Sequence, residues 1–209
     1  MKRLLLLALV SFTISASAQP GKDFSWQTGD LIFQDLDCGE MCDAIEAVTQ
    51  GYEGKAFSHV GLVDREGDSV MVIEALGKGV QMIPLETFTR RTEHKMYVGR
   101  VKPEYKKLVE KAMAFAKQQL GKPYDDAFLY DNGKYYCSEL IYDAFKQANK
   151  GKPFFRLEPM TFKEPGSGAY FPVWIKYYRQ LGVDIPEGKP GCNPGGLSRS
   201  DKISIVGTI

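Results

Sequence analysis

The chain has 209 residues but only two histidines, two tryptophans and four cysteines. Cys38 and Cys42 form a C-x3-C pair, but no second C-x-x-C or histidine pair accompanies it, so a structural zinc site is not expected. Charge of one sign is also lacking. A formal net charge of +1 gives no electrostatic footprint for nucleic acid or for an anionic membrane. There is no internal repeat and no low-complexity linker, which excludes solenoids and strings of tethered modules. The one markedly apolar opening stretch, residues 4–10, is soon interrupted by Ser11 and Thr13 and is too short to span a bilayer.

That stretch has another meaning. Lys2 and Arg3 precede it, and Ala16-Ser17-Ala18 follows as a small-x-small pattern before Gln19. Together these predict a secretory signal peptide cleaved after Ala18, leaving residues 19–209 as one exported, soluble domain in the periplasm or outside the cell. No cysteine stands at the cleavage point to carry a lipid anchor, and no stable membrane association is expected. Removing the leader takes Lys plus Arg from 27 to 25 against 26 acidic residues, for a formal net charge near −1.

Hydropathy patterning predicts strands at 29–33, 79–84, 96–101 and 203–206, and a hairpin of 57–64 with 69–75 across the turn 65–68. Helical spacing predicts helices at 40–50, from Pro103 to Gly121, at 138–148 and at 172–181. The Pro- and Gly-rich tail 185–196 reads as an ordered loop crossing the surface. Strands flanked by helices in this way suggest an α+β domain.

Two short segments carry the chemistry. Tyr136-Cys137-Ser138-Glu139-Leu140 opens a helix, where unpaired backbone N–H groups and the macrodipole favour a thiolate nucleophile. Ser58-His59-Val60-Gly61-Leu62 is strand-like and supplies an imidazole. A lone cysteine in a helix is more often a small buried hydrophobe, and a lone strand histidine a structural residue. Hairpin geometry adds a third group: a symmetric turn at 65–68 opposes Asp64 to Ser69 and His59 to Glu74 on one sheet face. Glu74 would then orient the imidazole as the third member of a triad does, although a slip of one residue would reverse its face. His94 lies in the charged stretch 90–95, read as a solvated loop, and Asp30 reads as a turn or capping residue. A catalytic Cys137 must stay reduced, leaving Cys38, Cys42 and Cys192 with at most one internal bridge. Cys38 and Cys42 could pair only if the turn at 39–41 brings their Cβ atoms together.

The sequence resembles the permuted NlpC/P60 group of papain-like cysteine peptidases and amidases, in its YiiX/YebB-like branch. The matching segments are G-D-L-I-F at 29–33, S-H-V-G-L at 58–62, V-I-E-A at 72–75, G-K-P-Y-D at 121–125 and Y-C-S-E-L at 136–140. The tail segments G-V-D-I-P at 182–186 and P-G-C-N-P at 190–194 also match. His59 precedes Cys137, the order that marks the permuted branch. The resemblance implies a papain-like core of helices on an antiparallel sheet, with Cys137 as nucleophile, His59 as base and Glu74 as orienter. It also implies that Tyr124 lines the site and helps bind the oxyanion, beside the backbone N–H of Cys137. The expected activity is hydrolysis of an amide or peptide bond in a small, cell-wall-type substrate, without metal or organic cofactor. Lipid-directed acyl chemistry on the same fold, or a non-catalytic binding shell, are the alternatives.

Overall fold

The structure, a computed structural model, describes residue 21 and residues 23–209; the expected leader lies outside the described residues. In chain order the elements are β1 (Leu31–Gln34), α1 (Glu40–Val48), β2 (His59–Glu66), β3 (Ser69–Leu76), β4 (Gly79–Pro84), α2 (Leu85–Thr89), β5 (Tyr97–Val101), α3 (Val109–Gln118), α4 (Cys137–Ala148), β6 (Glu158–Pro159), α5 (Pro172–Leu181), β7 (Pro190–Gly191), α6 (Pro194–Ser198) and β8 (Ile203–Thr208). Six strands form one antiparallel sheet in the order β4-β3-β2-β1-β5-β8, and β6 pairs with β7 apart from it. This is the expected α+β architecture.

Alternation along the strands fixes what each sheet face meets. Leu31, Phe33, Val60, Leu62 and Ile73 pack with Leu140, Ile141, Ala144 and Phe145 of α4 in the main core. Ile32, Val63 and Val72 point to the other face, against Trp26, Phe88 and Met96. β1 is therefore buried on both sides, which explains its unbroken apolar run. A third cluster, Ala44, Phe162, Trp174 and Tyr178, joins α1 to α5.

The β2–β3 hairpin differs in register from the expectation. Glu66 pairs with Ser69, so the turn is Gly67-Asp68 alone, with Gly67 at φ 59°. Arg65 and Glu66 are polar because they are the exposed end of a strand rather than part of the turn. The displacement is two residues, one full period of the pleat, so His59 and Glu74 keep the same face and meet diagonally instead of directly.

Three further departures bear on the site. The five-residue α2, which hydropathy patterning does not predict, places Phe88 under the sheet. The helix after Pro103 begins as a 3-10 turn, Pro103–Leu108, before α3. The tail does not merely cross the surface: Cys192, Pro194, Gly195 and Leu197 are buried, and Cys192 is bonded into the start of α4.

Gly61 of the S-H-V-G-L segment is needed for close approach. A Cβ there would lie 2.4 Å from Val72 Cγ1 and 2.7 Å from Phe88 Cε2. Gly61→Ala should therefore lower stability by about 1–3 kcal/mol through overpacking, read as a reduced midpoint in urea unfolding.

Candidate active site

The nucleophile candidate stands at the first position of α4. Tyr136 precedes it in extended conformation, and Glu139 reaches back so that its Oε2 accepts the Tyr136 N–H at 3.4 Å. The other oxygen, Oε1, accepts the N–H of Asp131 at 3.1 Å. Burial raises the Glu139 carboxyl to about 8, with Asp125 adding to the effect and the two N–H bonds opposing it. A largely neutral acid at neutral pH leaves the positive end of the helix dipole uncompensated beside Cys137. The N–H of Cys137 has no carbonyl one turn back to accept it.

His59 opens β2 and is almost fully buried, as is Glu74. His59 Nε2 lies 2.7 Å from Glu74 Oε2. That engagement leaves Nδ1 as the nitrogen available to the thiol. Burial by itself lowers the imidazole, but Cys137 on one side and Glu74 on the other overcome it and raise it to about 9. Glu74 moves the opposite way. Burial would raise it, yet His59 and Arg91 hold it down at about 2. Arg91 Nη1 and Nη2 donate to the two Glu74 oxygens at 2.5 and 2.6 Å, and Gln81 Nε2 donates to Oε1 at 2.7 Å. Arg91 thus turns inward from the stretch expected to be a solvated loop. His94, in the same stretch, is half exposed and pairs with Asp37 at 3.0 Å.

Of the four cysteines, Cys38 and Cys42 are bonded to each other at the start of α1, which leaves Cys137 and Cys192 free. Burial pushes the Cys192 thiol up. Its N–H donates to Tyr136 Oη at 3.1 Å and its carbonyl accepts Ser138 Oγ at 3.0 Å, so it serves as a seam between tail and helix. Asp30 is also structural, held by Arg100 at 2.7 and 2.8 Å.

Tyr124 comes to the site through a parallel bridge to Tyr135 just ahead of α4. Burial first, then Cys137, holds its phenol well above the ordinary value, so it remains a hydrogen-bond donor. The next residue, Asp125, is fully buried and shapes the loop that follows. Its carboxylate accepts the N–H of Ala127 at 3.1 Å, the N–H of Leu129 at 2.6 Å and Asn132 Nδ2 at 3.0 Å. Within that loop Phe128 is held at φ 54°, a left-handed conformation that costs a bulky residue about 1–3 kcal/mol. Its ring meets Tyr124, Tyr136 and Trp174. A cleft of about 160 Å³ opens between this loop, α1, α5 and the β6–β7 pair, with Cys137 in its wall.

Among the described residues one group could offer ligands to a metal: Asp35, Asp37 and His94, with donor atoms within 4.8 Å of one another. Asp37 is largely exposed and His94 half exposed, and the His94 ring nitrogen already lies 3.0 Å from an Asp37 carboxylate oxygen.

Residues 25–207 match the model of the permuted papain-like amidase enzyme family YaeF/YiiX, C92. The chain belongs to that family. It is similar to the protein YiiX of Escherichia coli (strain K12), named as uncharacterized, with 34% identity over 151 residues, 70% of this chain and 67% of that protein. It is also similar to the crystal structure titled metalloprotein yiiX from Escherichia coli O157:H7, with a TM-score of 0.70 and 26% identity, covering 88% of this chain and 97% of that one.

The structure brings Cys137, His59, Glu74 and Tyr124 to one place. Sequence reasoning missed Arg91, Gln81, Glu139 and Phe128 as parts of the surroundings. Glu139 had a signal, a glutamate three residues after the residue that caps a helix. Gln81 and Arg91 had none, since their contacts depend on how β4 and α2 fold back over β3.

The two shifted groups set a pH window. Glu74, lowered from 4.5 to about 2, stabilises the fold above 4.5 and loses that contribution as pH falls through 2. His59, raised from 6.5 to about 9, contributes fully below 6.5 and loses its contribution as pH rises through 9. Glu74→Gln should therefore cost about 3 kcal/mol in the plateau between these limits, where it leaves buried cations unpaired. The gap from wild type should narrow at both acidic and alkaline ends in urea titrations across pH.

Proposed function

We propose that the protein is an exported cysteine amidase that hydrolyses a small amide or peptide bond through Cys137, His59 and Glu74. The observation that carries this reading is the His59 ring, held by Glu74 through Nε2 and supported in its protonated form by Cys137. Membership of an amidase family supports amide-bond hydrolysis in general.

In this reading the Cys137 sulfur attacks the carbonyl carbon, and the carbonyl π electrons move to oxygen. The Cys137 N–H and the Tyr124 hydroxyl donate to that oxyanion. His59 gives its proton to the nitrogen as the C–N bond breaks, releasing the amine and leaving a thioester. Neutral His59 then takes a proton from water, the hydroxide adds to the thioester, and collapse frees the carboxylic acid and restores the thiolate–imidazolium pair. Glu74 keeps the ring oriented and supports its positive charge. The bridge between Cys38 and Cys42 and the leader-like first 18 residues support an oxidising, exported location. A cell-wall peptide fits that location as a substrate class.

Cys137→Ser should abolish turnover while changing stability little, because the side chains have similar volume. Iodoacetamide should alkylate Cys137 rapidly at neutral pH in wild type and at least tenfold more slowly in His59→Ala, which removes the basic ring beside the sulfur. Mass spectrometry of the labelled peptide reads the rate. An inert wild-type thiol would favour a non-catalytic binding shell instead. N-terminal sequencing of the exported protein should begin at Gln19.

A further inference from the structure

Glu74 holds more positive charge than orienting an imidazole requires. His59 engages one of its oxygens, with Nε2 2.7 Å from Oε2. Arg91 takes both: Nη1 donates to the same Oε2 at 2.5 Å and Nη2 to Oε1 at 2.6 Å, a bidentate fork. Gln81 Nε2 donates to Oε1 at 2.7 Å, so the oxygen that His59 leaves free already has a neutral donor. The guanidinium adds a full positive charge at the oxygen the imidazole uses.

Few other groups surround the ring. β1 presents the neutral Gln34, which pairs in register with His59 and donates its Nε2 to the Phe88 carbonyl. α2 presents the Phe88 ring, and β4 the neutral Gln81. The charged groups that face His59 are Glu74 from β3, Cys137 from α4 and, through Glu74, Arg91 from the chain after α2. With the thiol ionised, these are two anions and one cation.

A cycle through a thioester asks opposite things of this ring. In the free enzyme the imidazolium must persist beside the thiolate. Once the sulfur carries an acyl group that anion is gone, and the ring must be neutral to take a proton from water. Burial then favours the neutral ring, and the Glu74 charge opposes it. A carboxylate without a second cation would hold the proton on the ring and stall the second half of the cycle. Arg91, sharing Oε2 with His59, offsets that carboxylate charge. Its side chain is 22% exposed, so it supplies a cation from the edge of the site without being sealed in beside the imidazole.

We propose that Arg91 is a positioning residue, acting through Glu74, that lets His59 release its proton when Cys137 is acylated and so sets the rate of thioester hydrolysis. This rests on Cys137 as the nucleophile, so one arm of the test needs no turnover. The probe for the other arm is p-nitrophenyl acetate. The Cys137 sulfur bonds to the acetyl carbon and p-nitrophenolate departs with the electron pair, needing no proton from His59. Its release is therefore a burst, and the steady rate that follows reads hydrolysis of the acetyl thioester. Arg91→Met, which keeps the stem and removes the charge, should leave the burst as fast as in wild type. Its steady rate at pH 7 should fall about tenfold or more, with acetylated Cys137 accumulating in intact mass spectra. The limb of steady rate against pH should lie about one pH unit or more higher, so that the deficit closes in alkaline solution. Arg91→Lys, which returns the charge without the fork, should bring the limb most of the way back. A deficit equal at every pH, or a limb that does not move, would overturn the proposal.

The second arm is nitrogen-15 NMR of His59 in Cys137→Ala, which lacks the thiolate as the acyl-enzyme does. Adding Arg91→Met should raise the pH at which the ring titrates by about one unit or more. An unchanged or lower titration would also overturn the proposal. If wild type gives no burst while the ring titration still rises, the reading of Cys137 as nucleophile fails and the hold of Arg91 on the ring stands.

Discussion

The site depends on one buried carboxylate. Taking the Glu74 charge out of water carries a penalty of several kcal/mol, which only dense hydrogen bonding can offset. Its two oxygens accept from His59, twice from Arg91 and once from Gln81. The partners come from β2, β4 and the chain after α2, so this one group ties three segments together. Phe88 completes the arrangement: the His59 ring lies 5.6 Å from its centroid and the Arg91 guanidinium also 5.6 Å. Two cations share one anion and one aromatic ring, and that ring is admitted only because Gly61 has no side chain.

Much of this was legible in the sequence because it depends on local pattern. The start of α4 at Cys137, the strand holding His59 and the hairpin joining it to Glu74 follow from capping, alternation and turn chemistry. The hairpin shows how the inference held despite an error. The polar pair Arg65-Glu66 suggested a four-residue turn, whereas the chain turns on Gly67-Asp68 alone. Because side chains alternate with period two, an error of two residues moved the partners along the sheet without changing their face.

Long-range contacts were not legible. Arg91 belongs to a run of polar residues whose composition is that of a solvated loop, and only the fold of α2 turns it toward Glu74. The tail looked like a surface crossing because it is rich in proline and glycine. It is drawn inward by hydrogen bonds that tie Cys192 to Tyr136 and Ser138, an attachment with no sequence period. Phe128 is similar. A phenylalanine at positive φ goes against its local preference, and the four-residue reach of the Asp125 carboxylate that sustains it becomes visible only in three dimensions. The proposed catalytic groups thus lie on regular elements, while part of the cleft wall comes from irregular chain between them.

Glu74 and Cys137 together keep His59 protonated at neutral pH. Nitrogen-15 NMR of the His59 ring tests it most directly. The ring should be an imidazolium at pH 7, with both nitrogens protonated, losing a proton only as pH rises through about 9. A neutral ring at pH 7, titrating at or below 6.5, would contradict it.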